Sequence, residues 1–376
     1  MISLFVILMM QAAMPRDLPR GEIVPDVKCA ADASQSYALY LPSGYSPNRV
    51  WPVILAFDPG GRGRNGVERY QAAAEKYGYI VAGSNNSRNG SPDTGKAVAA
   101  MSSDVLSRFS INTRRIYTAG MSGGARVAFS VALASPSIAG VMASSAGYPD
   151  AQVRESLPFP VFATAGTEDF NHLEMRELDR HLKSAHHLEI FEGGHVWLSS
   201  DLAMMAVEWM EIQGMKSGLV PRNPAAIDEI FNKRTAAISA DRKDLATFLA
   251  LQSMTSDFEG LKDIKALAAR AADLGRDKSI RAAIKDGRDE DDREITMLRG
   301  VWDLESRLES GDRAKVLTDL KERWRKLSEA SKKPQDTADR RLARRVLAGL
   351  SAGSSTRDPE YQAIIREFRT GRGGRP

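Results

Sequence analysis

Apolar and polar positions follow two different periodicities along the chain. Up to residue 213, short apolar runs without a polar face alternate with segments whose apolar residues recur every three to four positions. The runs predict strands at 37–41, 51–57, 79–83, 115–119, 140–145, 159–165 and 188–191. The periodic segments predict helices at 67–77, 95–109, 125–134, 173–184 and 202–213. This alternation favours a mostly parallel sheet with helices on both faces.

A proline-bearing linker at 219–224 leads into a second part whose pattern is helical throughout. Helices are predicted at 225–238, 243–252, 258–274, 278–285, 291–309, 312–330, 337–350 and 359–368. No 34-residue period is visible, so this part is interpreted as a helical bundle, with a repeat-like array as the alternative. Because 376 residues exceed what one core usually serves, we predict an α/β domain at 15–220 and a helical domain at 221–376.

The chain begins with an apolar run at 2–10, followed by Gln11, Ala12 and Ala13. The run is too short to span a bilayer and precedes small residues that a signal peptidase accepts. We therefore predict a signal peptide at 1–14 and a periplasmic or secreted protein. No basic residue precedes the run, so a buried amino-terminal strand or helix, and a cytoplasmic location, form the alternative.

Composition narrows the classes of function. Hydrophobic residues make up 43% and charged residues 27% of the chain, which is typical of a soluble globular protein. A net charge of +4 on 376 residues argues against nucleic acid as a partner. The single cysteine, Cys29, excludes an intrachain disulfide and a CxxC site.

The segment Gly120-Met121-Ser122-Gly123-Gly124 has the pattern G-x-S-x-G and lies between a predicted strand and a predicted helix. A serine at such a turn is held in strained backbone geometry with its hydroxyl exposed, and the flanking glycines avoid collisions. The helix amino terminus also favours a developing oxyanion. Ser122 is therefore the predicted nucleophile.

A serine hydroxyl needs a base, and His195 is the best candidate among five histidines. It lies in a glycine-rich loop directly after the predicted strand at 188–191. The other four lie on or near a predicted helix and are expected to be solvated: His172, His181, His186 and His187.

The base in turn needs a carboxylate to fix its tautomer, and the hydrolase order places this acid between serine and histidine. Asp169 follows the predicted strand at 159–165, at the edge where the loops of a parallel sheet gather. Its neighbour Glu168 is the competing candidate.

Further site residues are predicted from loops at the same edge. The oxyanion hole should take one amide from Gly123 and another from Gly60 or Gly61, unless the segment 58–61 is an ordinary turn. Asn85 and Arg88 are candidates for substrate binding, with a plain polar turn as the alternative. Trp197 is predicted to wall the pocket beside His195, or else to belong to the core.

Together these segments resemble the α/β-hydrolases, and within them secreted esterases of the polyhydroxybutyrate depolymerase and feruloyl esterase (dienelactone hydrolase-like) kind. The resemblance covers about residues 36–213 and rests on the segments 37–45, 57–61, 120–125, 166–169 and 193–197. Asp58-Pro59 stands where the family often has His-Gly or Gly-Cys, and the disulfides common in secreted members are absent. The resemblance implies an α/β-hydrolase fold followed by an all-helical carboxy-terminal domain.

The expected reaction is hydrolysis of a carboxylic ester through a Ser122-His195-Asp169 triad and an acyl-enzyme. No metal or organic cofactor is required. The segments between strands leave no room for a long lid between Ser122 and His195, which favours short-acyl or aryl esters, free or in a polymer. The alternatives are a peptidase or amidase on the same triad, or a hydrolase-like protein whose helical domain binds a protein partner.

Overall fold

The computed structural model describes residues 18–309, 312–354 and 357–368. The predicted signal peptide at 1–14 lies outside them. Within the described residues the strands are β1 (Ile23–Lys28), β2 (Ser36–Tyr40), β3 (Trp51–Phe57), β4 (Ile80–Ser84), β5 (Ile111–Met121), β6 (Ile138–Ser144), β7 (Val161–Gly166) and β8 (His186–Phe191). The first five helices are α1 (Gly63–Tyr77), α2 (Thr94–Arg108), α3 (Gly123–Ala134), α4 (His172–His181) and α5 (Ser200–Ser217).

The strands form one sheet in the order β1-β2-β4-β3-β5-β6-β7-β8. β2 runs antiparallel to both of its neighbours, and β3 to β8 are mutually parallel. Side chains of successive strand residues enter opposite layers: Val53 and Leu55 face α2, α3 and α4, whereas Ile54 faces α1 and α5. Both faces of the sheet are therefore buried, which explains why the strands lack a polar face. The predicted α/β class is confirmed.

β1 and the start of α1 were not predicted from the pattern. β1 is an edge strand containing Pro25, and its register with β2 shifts between Val24 and Val27. Proline is tolerated at an edge because the strand has no second neighbour, but it removes the usual strand signal. α1 begins at Gly63, whose Cα approaches the backbone of Gly83 so closely that a Cβ would lie 1.9 Å from its carbonyl oxygen.

Beyond α5 the described residues are helical: α6 (Pro224–Ala236), α7 (Leu245–Phe258), α8 (Lys265–Arg276), α9 (Lys278–Ser306), α10 (Arg313–Ser331), α11 (Ala338–Gly353) and α12 (Pro359–Phe368). We call residues 224–368 the helical region. The expected break between helices at 278–285 and 291–309 is wrong, because α9 continues through it. Gly287 is the weakest residue there, and its cost of about 1 kcal/mol does not end a helix of this length.

The helical region contacts the last helix of the α/β part through buried polar groups. Trp209 of α5 donates a hydrogen bond to the carboxylate of Asp257 of α7 at 2.8 Å. Lys233 of α6 donates to Glu208 of α5 at 2.9 Å. Both acceptors are buried. The division into separate domains at 220 and 221 stays a prediction.

Two further features concern the expectations from composition. In the part of the chain that the structure describes, no helix combines the length and apolar character needed to cross a membrane. Cys29 is 1% exposed and packs in the core beside β1 and β2. Burial, followed by the nearby Asp104 carboxylate, raises the pKa of this thiol to about 11.

Candidate active site

Ser122 lies at the turn between β5 and α3 with φ 55° and ψ −125°, a left-handed conformation that side chains rarely adopt. The flanking glycines make the turn possible. A Cβ on Gly120 would lie 2.1 Å from the carbonyl oxygen of Gly124, and a Cβ on Gly124 would lie 1.9 Å from that of Phe57. The turn is anchored to β6, since the Ser122 amide donates to the Ser144 carbonyl at 2.8 Å. The sequence pattern and the backbone geometry agree.

The structure brings Ser122, His195 and Asp169 together. Nε2 of His195 lies 2.8 Å from Ser122 Oγ, and Nδ1 lies 2.7 Å from Asp169 Oδ1. Asp169 is fully buried, whereas the His195 side chain is 19% exposed. A carboxylate at Nδ1 places the ring proton there and leaves Nε2 free to accept the serine proton.

Asp169 belongs to the loop between β7 and α4, residues 167–171, which we call the acid loop. Its Oδ1 also accepts the amide hydrogen of Asn171 at 2.8 Å. The side chain of Asn171 donates to the carbonyl of Ser145 at 2.7 Å and so ties the acid loop to the end of β6. Glu168, the competing acid, instead receives a hydrogen bond from Arg344 at 2.7 Å. The residue that meets His195 is therefore Asp169.

Phe170 is a site residue that the sequence did not reveal. Its ring stacks on the imidazole of His195, with centroids 3.9 Å apart and planes 28° apart. The sequence shows an aromatic residue directly after the acid, but it does not show that this residue stacks on His195, which lies on another loop.

His172, expected to be solvated, is buried at the first position of α4. Its Nδ1 lies 3.0 Å from the carbonyl oxygen of Gly166. Burial, followed by the positive charge of Arg345, lowers the pKa of His172 to about 4. The imidazole is thus a neutral structural group beneath the acid loop.

The other three histidines also lie away from the nucleophile. His181 is exposed on α4, as expected. His186 and His187 belong to β8 rather than to a helix and are half-buried, and His187 stacks on Phe162. The expectation of solvated helical positions is wrong for these two because β8 begins two residues earlier than predicted.

The predicted oxyanion donors Gly60 and Gly61 are engaged within their own turn. The Gly60 amide donates to Asp58 Oδ1 at 2.8 Å, and the Gly61 amide donates to the Asp58 carbonyl at 3.1 Å. The structure therefore does not offer either amide as a free donor. Gly123 is different, because it is the first residue of α3 and the first amides of a helix have no acceptor within the helix. The first hydrogen bonds of α3 are those from Ala125 and Arg126 to the Ser122 carbonyl.

Trp197 is 9% exposed and belongs to the core beside α1 and α5, while its place in a pocket wall stays a prediction. Its Nε1 donates to Asp58 Oδ2 at 2.9 Å, and Asn65 donates to the same oxygen at 3.1 Å. Burial acts to raise the pKa of Asp58, but the hydrogen bonds from Trp197, Gly60 and Asn65 outweigh it and lower the pKa below its usual value. Trp197 and Asp58 thus join the histidine loop to the loop after β3.

Asn85 has a structural role rather than a place in the substrate site. Its side-chain oxygen accepts the amide hydrogen of Gly63 at 3.2 Å, and its nitrogen donates to the carbonyl of Pro25 at 3.1 Å. Arg88, the other candidate in this loop, is exposed at the rim and pairs through its backbone with Gly60.

Asn89, which the prediction passed over, lies against the turn of the nucleophile. Its amide donates to the Pro59 carbonyl at 2.8 Å. A Cβ built on Gly123 would lie 1.7 Å from Asn89 Oδ1 and 2.8 Å from Nδ2. The side-chain amide of Asn89 therefore occupies the space beside Gly123 that the missing Cβ leaves.

No protein-family model matches the chain, and a search of curated proteins found no match. Solved structures with some similarity include a mutant of the feruloyl esterase module from Clostridium thermocellum complexed with sinapinate. It is 16% identical, with a TM-score of 0.38, over 50% of this chain and 85% of that one. Thermogutta terrifontis esterase 2 phosphorylated by paraoxon is 15% identical, with a TM-score of 0.39, over 56% of this chain and 98% of that one.

Two features of the structure identify the fold, namely the order of the strands and the turn at Ser122. The sheet has the order β1-β2-β4-β3-β5-β6-β7-β8 with an antiparallel β2, and its strand β5 ends in a strained serine turn that opens α3. By this strand order and this turn, the unit formed by β1–β8 and α1–α5 has the α/β-hydrolase fold.

Proposed function

We propose that the chain is a serine hydrolase that cleaves carboxylic esters through Ser122, His195 and Asp169. The proposal rests mainly on two hydrogen bonds that link the three side chains in series. Ser122 Oγ lies 2.8 Å from His195 Nε2, and His195 Nδ1 lies 2.7 Å from Asp169 Oδ1. They are combined with a strained serine at a helix amino terminus. These are the geometric requirements for an activated serine nucleophile.

In the proposed reaction, Ser122 Oγ attacks the ester carbonyl while His195 Nε2 takes the hydroxyl proton. The tetrahedral intermediate collapses, the C–O bond to the alcohol breaks, and His195 returns the proton to the leaving oxygen. Water then attacks the acyl-enzyme with His195 again as base, which releases the acid and regenerates Ser122. The Asp169 carboxylate stabilises the imidazolium at both stages.

The proposed oxyanion hole combines the Gly123 amide with the side chain of Asn89. Gly123 lies at the amino terminus of α3, where a developing negative charge is favoured. Asn89 supplies the second donor because Pro59 has no amide hydrogen and the amides of Gly60 and Gly61 are held by Asp58. The atom of Asn89 nearest to Gly123 is Oδ1, so this donor role requires a half-turn of the terminal amide that exchanges Oδ1 and Nδ2.

Short-acyl or aryl esters fit the loops around the triad best. The acid loop has five residues, and the His195 loop between β8 and α5 is also short. Lids that enclose long acyl chains arise from insertions, which these two connections lack. The connection between β6 and β7, residues 145–160, is longer, so the proposal rests on the two loops that carry Asp169 and His195. Ser122 is half-buried and open to solvent on one side. Cleavage of amides by the same triad is the alternative.

The test is labelling with a fluorophosphonate probe, together with hydrolysis of p-nitrophenyl acetate. Wild-type protein should be labelled and active, and Ser122→Ala should lose both. Ser130→Ala, on the exposed face of the same helix, is the matched control and should behave as wild type. A folded wild-type protein that is neither labelled nor active would contradict the proposal. Comparison with p-nitroacetanilide decides between ester and amide cleavage.

The donor role of Asn89 has its own test. Asn89→Ala should lower kcat by about 10²-fold and leave KM nearly unchanged, because the bond forms mainly in the transition state. The control is Asn48→Ala, an exposed asparagine after β2. An unchanged kcat in Asn89→Ala would remove this residue from the oxyanion hole.

A further inference from the structure

The acid loop is contacted from outside the α/β unit by the helical region. The guanidinium of Arg345 on α11 donates to the carbonyl of Thr167 at 2.9 Å, across 178 positions of sequence. The adjacent Arg344 donates to both carboxylate oxygens of Glu168 at 2.7 and 3.0 Å. Two successive arginines of one helix therefore hold the two residues that precede Asp169.

Arg345 is itself fixed by buried charges. Its Nε donates to Glu294 at 2.8 Å and its Nη2 to Glu290 at 2.8 Å, both on α9. The side chains of Arg345 and Glu294 are almost fully buried. A guanidinium held at three points has little freedom, so the position of the Thr167 carbonyl is fixed by the helical region.

The same interface carries a second set of ion pairs, and a glycine of α11 lies close to Phe170. Arg176 and Arg180 of α4 lie 3.1 and 3.3 Å from the buried carboxylate of Asp291 on α9. A Cβ built on Gly349 of α11 would lie 3.7 Å from Cβ of Phe170. Phe170 is the residue that stacks on His195, so α11 passes close to the aromatic side of the acid loop.

We infer that α9 and α11 position the catalytic acid. On this proposal, which rests on the proposed function, Arg345 and Arg344 are positioning residues. They hold the acid loop so that Asp169 faces His195 Nδ1 and Phe170 stays stacked on the imidazole. The helical region is then a structural part of the active site.

The variants are chosen to preserve folding. Arg345→Lys keeps a buried positive charge for Glu294 but cannot also donate to Glu290 and the Thr167 carbonyl in the geometry of the guanidinium. Glu168→Gln keeps the shape of the side chain and removes its ion pairs with Arg344 and Arg340. Arg341→Lys is the matched control, since Arg341 lies on the same helix but pairs with Asp336.

Two readouts separate positioning from mere stability. Arg345→Lys and Glu168→Gln should each lower kcat by about tenfold at a temperature where all variants are folded, with KM nearly unchanged, because a small displacement of a catalytic group reduces the rate steeply. The NMR signal of the His195 Nδ1 proton should broaden or shift in both. Arg341→Lys should leave kcat and this signal as in wild type.

Folded variants with wild-type kcat and an unaltered Nδ1 proton signal would overturn the proposal. If Arg345→Lys does not fold, Glu168→Gln decides alone. Inactive wild-type protein that also fails to react with fluorophosphonate would contradict the proposed function. The NMR signal needs no substrate, so it would still show whether α11 sets the contact between Asp169 and His195.

Discussion

Phe170 stacks on His195 with ring centroids 3.9 Å apart and planes inclined by 28°, so the residue after the acid packs on the residue that the acid binds. Stacking restricts rotation of the imidazole and excludes water from one of its faces.

Replacing Phe170 with alanine should lower kcat by about 3- to 30-fold, because a freely rotating imidazole is less often aligned with Ser122. Steady-state kinetics with p-nitrophenyl acetate measures the effect. Phe170→Leu, which keeps bulk without the aromatic face, separates stacking from volume. A Phe170→Ala protein with wild-type kcat would show that the acid alone orients His195.

Replacing Trp197 with phenylalanine should affect stability rather than substrate binding. The change removes the Nε1 donor of the buried Asp58 carboxylate, which should lower the free energy of unfolding by about 1–3 kcal/mol. Urea unfolding followed by circular dichroism measures this loss. KM for esters should stay as in wild type. A large rise in KM with unchanged stability would instead indicate that Trp197 lines the substrate pocket.

The glycine at position 124 should be intolerant of any side chain. Gly124→Ala places a methyl group 1.9 Å from the backbone carbonyl of Phe57, which cannot move without shifting β3. We expect loss of soluble folded protein or of all activity. The control is Gly95→Ala in α2, where a Cβ meets no atom within 4 Å and alanine should stabilise the helix by about 0.5–1 kcal/mol. Expression level and thermal unfolding compare the two.

His172 should make the fold sensitive to acid. Its pKa of about 4 in the folded protein lies below the ordinary value of 6.5, so the unfolded chain binds the proton more readily. The contribution of neutral His172 to the free energy of unfolding is therefore fully present above pH 6.5. It is lost as the pH falls toward 4, and the loss is at most about 3 kcal/mol. Urea unfolding at pH 7 and pH 5 measures the slope. His172→Gln should reduce this slope, whereas the exposed His181→Gln should not.

Local rules account for what the sequence predicts well. The turn at Ser122 requires glycines at fixed offsets and lies between a strand and a helix that are each recognisable alone. The mostly parallel sheet follows from strands that alternate with helices and are buried on both faces, whereas the order of the strands within it is not encoded by this pattern. β1 was missed because a proline inside a short edge strand resembles a loop.

Long-range hydrogen bonding accounts for what the sequence does not predict. The Gly60 amide is occupied because it donates to the carboxylate of Asp58. The orientation of this carboxylate is fixed by a hydrogen bond from Trp197, which lies 139 positions away in the chain. Asp169 and Glu168 are adjacent and chemically alike, and they differ in that Arg344 of a remote helix takes Glu168. No local pattern encodes such partners.

The burial of Cys29 gives the chain a practical property for spectroscopy. A thiol that is 1% exposed and has a pKa raised to about 11 carries almost no reactive thiolate at neutral pH. Maleimide reagents should therefore leave the folded protein unmodified. A cysteine introduced at one exposed position on α11 becomes a unique attachment point for a fluorophore or spin label. Movement of that helix during turnover can then be recorded without first removing the native cysteine.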